Sequence, residues 1–246
     1  MCKHAARSNR GFTLIEVVLT MIIIGVLAGV AMKQLGSSVE TAQYEQTKLE
    51  LDALASAIAG NPAAYADGAR VDFGYVGDVG ALPPNLDALV ANPGAYATWD
   101  GPYISTGKSA TDFKQDGWGV DYLYQDTLIR STGSGGNIDK LFANSREELL
   151  NNTVEGAILD ASMTPPGTVM DDSLSVQFSY PNGTGGNALS ISAVDPSGRF
   201  SFSNLPVGAH ELRVIFSPQS DTLTFPVTIY PKKTTRLEVV FPADLW

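Results

Sequence analysis

The stretch from Phe12 to Met32 restricts this chain more than any other feature. Its 21 consecutive residues contain a single charge, Glu16. At about 1.5 Å per residue, a helix of that length crosses the hydrocarbon core of a bilayer. The run is too long for the apolar region of a cleaved secretory signal, which spans roughly 7–15 residues, and no small-residue cleavage site follows it. Lys3, Arg7 and Arg10 precede it, which predicts a cytoplasmic N-terminus and a body on the far side of the membrane. A plain single-pass anchor and an uncleaved signal are the simpler readings of such a span. Glu16 weighs against both, because an unpartnered carboxylate inside a span costs about 2.5–3.5 kcal/mol or more.

The residues around Glu16 form a recognisable pattern. A short basic leader ends in Gly11-Phe12-Thr13-Leu14-Ile15-Glu16 and the apolar run follows. This resembles the leader of type IV prepilins and type II secretion pseudopilins. The resemblance implies that prepilin peptidase cuts between Gly11 and Phe12 and that the new amine of Phe12 is N-methylated. Glu16 then becomes the fifth mature residue, the position of the family's assembly glutamate. The charges alone supply a logic. Cleavage creates a positive amine at Phe12, four residues before a negative carboxylate, and in a fibre the amine of one subunit can meet the carboxylate of the next. Buried ion pairs contribute little net stability, yet losing one partner is costly, which suits a device that sets register. Gly25 and Gly29 form a small-xxx-small pair that permits close helix approach, or are incidental.

Helical periodicity persists beyond Lys33. Leu35, Val39, Ala42, Leu49, Leu54 and Ile58 recur at helical spacings, with Gly36 as a candidate weak point. Gly60-Asn61-Pro62 predicts the stop. One helix over residues 12–59, near 70 Å long, would be apolar throughout its first part and offer a stripe to a globular domain in its second.

From Ala63 to about Leu150 the chain is rich in turns and aromatics. Leu86, Leu89 and Val90 suggest a short helix. The Gly101-Pro102-Tyr103 turn, then Asp116-Gly117-Trp118-Gly119 leading into a strand at Tyr122-Leu123-Tyr124, then a Ser131–Gly136 loop or hairpin tip follow in order. This order resembles the globular part of type II secretion major pseudopilins. In that family an acidic loop binds calcium, which makes Asp112, Asp116, Asp121 and Asp139 calcium candidates, with Asn137 nearby. Calcium needs six to eight converging oxygens and no EF-hand spacing is present, so a solvated acidic face is the competing reading.

After Asn152 apolar and polar residues alternate. The runs are Leu174-Val176-Phe178-Tyr180, Leu189-Ile191, Phe200-Phe202, Leu212-Val214-Phe216, Leu223-Phe225-Val227-Ile229 and Leu237-Val239-Phe241, with turn residues between them. The spacing predicts an antiparallel β-sandwich. The opening Val154–Asp160, then Asp195–Phe202 and Leu205–Val214, resemble the carboxypeptidase regulatory-like domain. That resemblance implies a sandwich that binds or presents and does not catalyse; a spacer without a ligand is the alternative.

The chemistry of the remaining residues is sparse. The formal net charge is −10; outside the first ten residues, 13 basic residues face 26 acidic ones. Such a chain is repelled by phosphate backbones, so nucleic acid is not an expected partner. Cys2 is the single cysteine, so no internal disulfide can form. Of two histidines, His4 lies in the leader and His210 in a predicted strand, expected to be structural or at the surface. One mature histidine and no mature cysteine leave no Cys/His pair or His-rich zinc site within a subunit. No Gly-Lys phosphate loop is present. Asp171 and Asp172 sit in a Pro/Gly-rich linker and read as solvated.

Together these readings predict an α+β chain and no enzyme: leader 1–11, long helix 12–59 with a transmembrane part 12–32, pilin-like domain 60–150 and sandwich 151–246. The expected role is a structural subunit of a type II secretion pseudopilus or type IV pilus-like fibre. Its expected partners are prepilin peptidase, other pilin or pseudopilin subunits, an inner-membrane assembly platform and membrane lipid. No cofactor is expected, calcium apart. The expected location is the inner membrane, single-pass, with a periplasmic body that becomes extracellular in an assembled fibre. The alternative is a membrane-tethered periplasmic binding or adhesion module that does not polymerise.

Overall fold

The computed structural model describes residues 12–105 and 112–246. Its first element, α1 (Leu14–Ala59), is one uninterrupted helix of 46 residues that runs through Gly36 without a break. It ends where Gly60 takes a left-handed conformation (φ 77°). A Cβ there would lie 2.3 Å from the Asp72 carbonyl oxygen, so only glycine lets the chain turn this closely against that segment. Arg70 secures the same end, its Nη2 donating to the Ala59 carbonyl at 2.6 Å while the guanidinium lies over the Phe73 ring.

The chain divides into two units, up to Glu45 and from Gln46 onward. In the first, every side chain from Phe12 to Ala42 is exposed, and α1 is long and apolar enough to cross a membrane. In the second, the helix buries Thr47, Leu51, Leu54 and Ile58, spaced four, three and four residues apart. This corrects the expected stripe. Leu49 is 71% exposed, because two residues is about 200° of helical turn and Leu49 therefore faces away from Leu51.

The second unit has two apolar cores. The first gathers Leu51, Leu54 and Ile58 with Phe73, Tyr75, Val76, Val79, Leu89, Phe113, Ile129 and Leu149. Around it lie the small hairpin β1 (Tyr65–Ala66) and β2 (Ala69–Arg70), the helix α2 (Gly74–Val79), the three-stranded meander β3 (Leu123–Gln125), β4 (Leu128–Ser131) and β5 (Ile138–Leu141), and the short helix α3 (Arg146–Leu150). Leu86–Leu89 forms a single 3-10 turn rather than an α-helix. The Gly101-Pro102-Tyr103 turn closes this core: the Tyr103 N–H donates to the Leu89 carbonyl and the Trp99 indole N–H to the Ala88 carbonyl.

The second core fills a sandwich. One sheet orders β11 (Asp221–Ile229), β10 (Gly208–Phe216), β7 (Leu174–Pro181) and β8 (Asn187–Ala193); the other orders β12 (Thr234–Val240), β6 (Asn152–Leu159) and β9 (Arg199–Leu205). Val154, Ile158, Val176, Phe178, Phe202, Leu212, Val214, Phe216, Val239 and Phe241 meet between them. Each fully buried side chain of this kind contributes roughly 1.5–3 kcal/mol.

Two details differ from the expectation. The β12–β6 pair is parallel, because the chain passes from β11 in one sheet to β12 in the other and no hairpin forces it to double back. In β8 the alternation is reversed: Leu189 and Ile191 are 58% and 64% exposed, while Ser190 and Ser192 lie on the inward side. The Ser190 hydroxyl is 3.2 Å from that of Tyr180.

The two cores are joined by several short bonds. The Val207 N–H donates to the Leu149 carbonyl, Gly183 N–H to that of Val79, and Ala97 N–H to that of Gly185, each at 2.8 Å. Lys232 pairs with Glu148, and its N–H donates to Asn152 Oδ1 at 2.9 Å. Gly80, left-handed at φ 76°, lets the Pro181 carbonyl approach to within 2.3 Å of where a Cβ would stand. Val207 leaves the sandwich strands altogether and is buried in the first core.

Candidate processing and assembly site

The helix start is built by Thr13 and Glu16. Thr13 stands one residue before α1, and its Oγ1 accepts from the Glu16 N–H at 3.4 Å. Glu16 Oε2 reaches back to accept from the Thr13 N–H and the Thr13 hydroxyl, both at 3.3 Å. This reciprocal arrangement is a capping box, which satisfies N–H groups that have no partner inside the helix. The carboxylate also sits at the positive end of the helix dipole. Among the described residues Oε1 accepts nothing, so half of the carboxylate remains open to a partner from outside. Phe12 lies just before the cap and is 83% exposed. Gly11, the leader and Cys2 lie outside the described residues.

The cap was visible in sequence. A Thr-x-x-Glu spacing immediately before an apolar run is the signature of a capping box, and here it lies inside the longer leader pattern.

The four aspartates named as calcium candidates have separate settings. Asp116 is 4% exposed. Its Oδ1 accepts from the N–H groups of Trp118 and Val120, both at 3.0 Å. Its Oδ2 accepts from the Ser131 hydroxyl at 2.6 Å and the Gly133 N–H at 3.0 Å. Burial raises its pKa, but the bonds from Ser131, Val120, Trp118 and Gly133 outweigh burial and hold the carboxyl below its usual value. Asp116 thus ties the Trp118-Gly119 turn to the tip of the β4–β5 hairpin. This turn leads into β3, which starts at Leu123, one residue after the expected Tyr122. Asp121 accepts from Gln115 Nε2 at 3.0 Å. Asp139 binds the Arg130 guanidinium through both oxygens, at 2.6 and 2.7 Å. Asp112 opens a 3-10 turn, Asp112–Lys114. Among the described residues no three His, Cys, Asp or Glu side chains gather as a metal would require.

The remaining polar candidates are structural. His210 lies in β10, 7% exposed, with Nε2 3.0 Å from the Pro206 carbonyl oxygen. Burial pushes its pKa down, against the raising effect of that carbonyl. Asp171 and Asp172 share a 3-10 turn in which Asp172 is exposed and Asp171 half-buried.

Comparison with known proteins adds one functional marker. No curated protein matches the chain. Solved structures overlap it only in part. The TIE protein of Bacillus anthracis is 15% identical over 48% of this chain, with a TM-score of 0.31, and the chain spans 24% of it. A putative carbohydrate-binding protein of Pseudomonas aeruginosa is 12% identical over 38% of this chain and 90% of its own, at 0.25. The major pilin subunit of Bacillus cereus is 12% identical over 51% of this chain and 42% of its own, at 0.26. At these scores the superpositions say nothing of what this chain does. The informative match is to the family model of the prokaryotic N-terminal methylation motif, at residues 6–32. Those residues hold the Gly11–Phe12 junction, the capped glutamate and the apolar run, so the N-terminal segment of the chain carries a prepilin-type methylation motif.

Proposed function

We propose that this chain is a structural subunit of a type II secretion pseudopilus or a type IV pilus-like fibre. It is cut between Gly11 and Phe12 by prepilin peptidase, N-methylated at Phe12 and drawn from the inner membrane into the fibre. The observation that carries the reading is the methylation motif at residues 6–32 on a helix whose apolar run holds one charge, Glu16. The open half of the Glu16 carboxylate is the acceptor for the Phe12 amine of a neighbouring subunit, which fixes the axial step between helices. Thr13 holds the other oxygen of the same carboxylate from within the subunit.

The body serves this role without catalysis, and no cofactor is part of the reading. Residues 60–150 act as the pilin-like domain. Residues 151–246 form a carboxypeptidase regulatory-like sandwich displayed with it. A second reading, a tethered periplasmic binding module that never polymerises, is favoured by the size of that sandwich and its separate core. The mass of the protein recovered from its membrane decides between them. Loss of residues 1–11 with gain of one methyl group supports the fibre subunit, and a retained leader supports the tether.

A further inference from the structure

We propose that the free edge of β8 is a pairing surface for a second copy of this chain, joined by antiparallel β8–β8 addition about a two-fold axis at Ser190.

The hydrogen-bond pattern of the hairpin identifies the open edge. At its turn the Asn182 N–H donates to the Gly186 carbonyl at 2.8 Å. Bonded and non-bonded pairs alternate in an antiparallel ladder. With β7 and β8 in their observed register, Tyr180↔Ala188, Phe178↔Ser190 and Val176↔Ser192 are then the bonded pairs. The N–H and C=O groups of Asn187, Leu189, Ile191 and Ala193 therefore point away from β7. Among the described residues no strand pairs with that side of β8. An open groove of about 860 Å³ lies beside its C-terminal end, with Ser192, Val194, Arg199 and Arg236 in its lining.

The other sandwich edges carry the usual protection. Strand β11 holds Pro226, β9 begins with Arg199, and β12 presents Arg236 and Glu238. Strand β8 has neither proline nor charge, and its outward residues Leu189 and Ile191 are exposed. The whole hairpin from Ser173 to Val194 is uncharged in a chain of net charge −10. Two copies repel each other over most of their surfaces, and this hairpin is where they meet without like charges opposed.

The sequence of β8, Asn-Ala-Leu-Ser-Ile-Ser-Ala, is close to symmetric about Ser190. Antiparallel pairing centred there sets Leu189 opposite Ile191 of the second copy, and Asn187 opposite Ala193. The opposed residues are those whose backbone groups point away from β7, so the two Leu189–Ile191 pairs each exchange two bonds, while at the ends the Ala193 carbonyl also accepts from the Ser192 hydroxyl at 3.0 Å. The apolar side chains meet on the same face. A two-fold contact closes on itself. It joins copies in pairs and does not extend a fibre.

The test uses the full chain in detergent micelles. In a Cys2→Ser background, Ser190→Cys is oxidised with copper phenanthroline. The two Ser190 positions form a non-bonded pair with Cα atoms about 4.5 Å apart, within disulfide reach. A reducible covalent dimer is expected as the main product. Thr224→Cys, on the β11 edge, is expected to remain monomeric. Adding Ile191→Lys is expected to reduce the Ser190→Cys dimer at least tenfold with an unchanged thermal midpoint. A missing Ser190→Cys dimer, equal cross-linking at Thr224, or a dimer indifferent to Ile191→Lys overturns the proposal. If Ser190→Cys misfolds, light scattering of the chain with native Ser190 decides. A mass of two copies that falls to one with Ile191→Lys supports the pairing, and a mass that Ile191→Lys leaves unchanged overturns it.

Discussion

Glu16 and Asp116 are carboxylates in opposite circumstances. Asp116 is enclosed, and its own chain supplies four hydrogen bonds, from Trp118, Val120, Ser131 and Gly133. Glu16 stands on an exposed apolar helix and receives contacts of 3.3 Å from Thr13 through one oxygen. The first is complete within the subunit. The second is held in place but left half open. A buried acid with all its partners at home is doing structural work, whereas an acid placed in an apolar stretch with capacity to spare points to a partner outside the chain.

The largest expected effect sits at the open site. Glu16→Leu should abolish incorporation into fibres, read as the fraction of subunit in sheared filaments, while the thermal midpoint of the body stays where it was. Incorporation that survives the change breaks the contrast. Asp116→Ala should do the reverse. It strands buried donors at a cost of about 3 kcal/mol, which lowers the midpoint by roughly 6–12 °C in a body of this size. The effect should appear whether or not the subunit assembles.

Acid sharpens the same comparison inside the body. The pKa of His210 is lowered by burial, so the folded state resists a proton that the unfolded state accepts near pH 6.5. Stability should therefore be level above about pH 6.5 and fall below it, by up to about 1.4 kcal/mol per pH unit. His210→Asn should flatten that limb in denaturant titrations at pH 7 and pH 5. Asp116 adds a second limb: its folded pKa is lowered, so its contribution is present above the ordinary carboxylate value of 3.8 and disappears as pH falls through the folded value. The smallest effect belongs to Thr13→Ala, about 0.5–2 kcal/mol confined to the helix start. It should appear as faster hydrogen exchange at residues 14–17, with Thr13→Ser restoring protection.

Much of this was legible from sequence, for identifiable reasons. The span, its lone charge and the Gly60 stop are one-dimensional signals, and α1 ends where they place it. The β-runs after Asn152 became strands because alternation encodes them. Other features depend on what faces a residue in space. Leu189 and Ile191 alternate like core residues, yet the register with β7 sets them opposite Ser179 and Gln177, on the outer face of the sheet. The parallel β12–β6 pair follows from a crossing between sheets that leaves no mark in periodicity. Thr47 is buried because its hydroxyl accepts from the Gly117 N–H across 70 residues, a contact no helical stripe reveals. Asp116 resembled one ligand among several acids because sequence does not show that Ser131 and Gly133 fold back onto it.

Val207 carries a consequence of another kind. The side chain belongs to the stretch between β9 and β10, but it plugs a hole among residues that precede Leu150. A chain cut after Leu150 would lose that plug and the Tyr230 ring that packs edge-on against Phe73 at 6.4 Å, and would carry a void where Val207 belongs. The two halves are therefore not separable cargo and carrier: evolution could swap the sandwich for another only by finding a new stopper for the cavity beneath it.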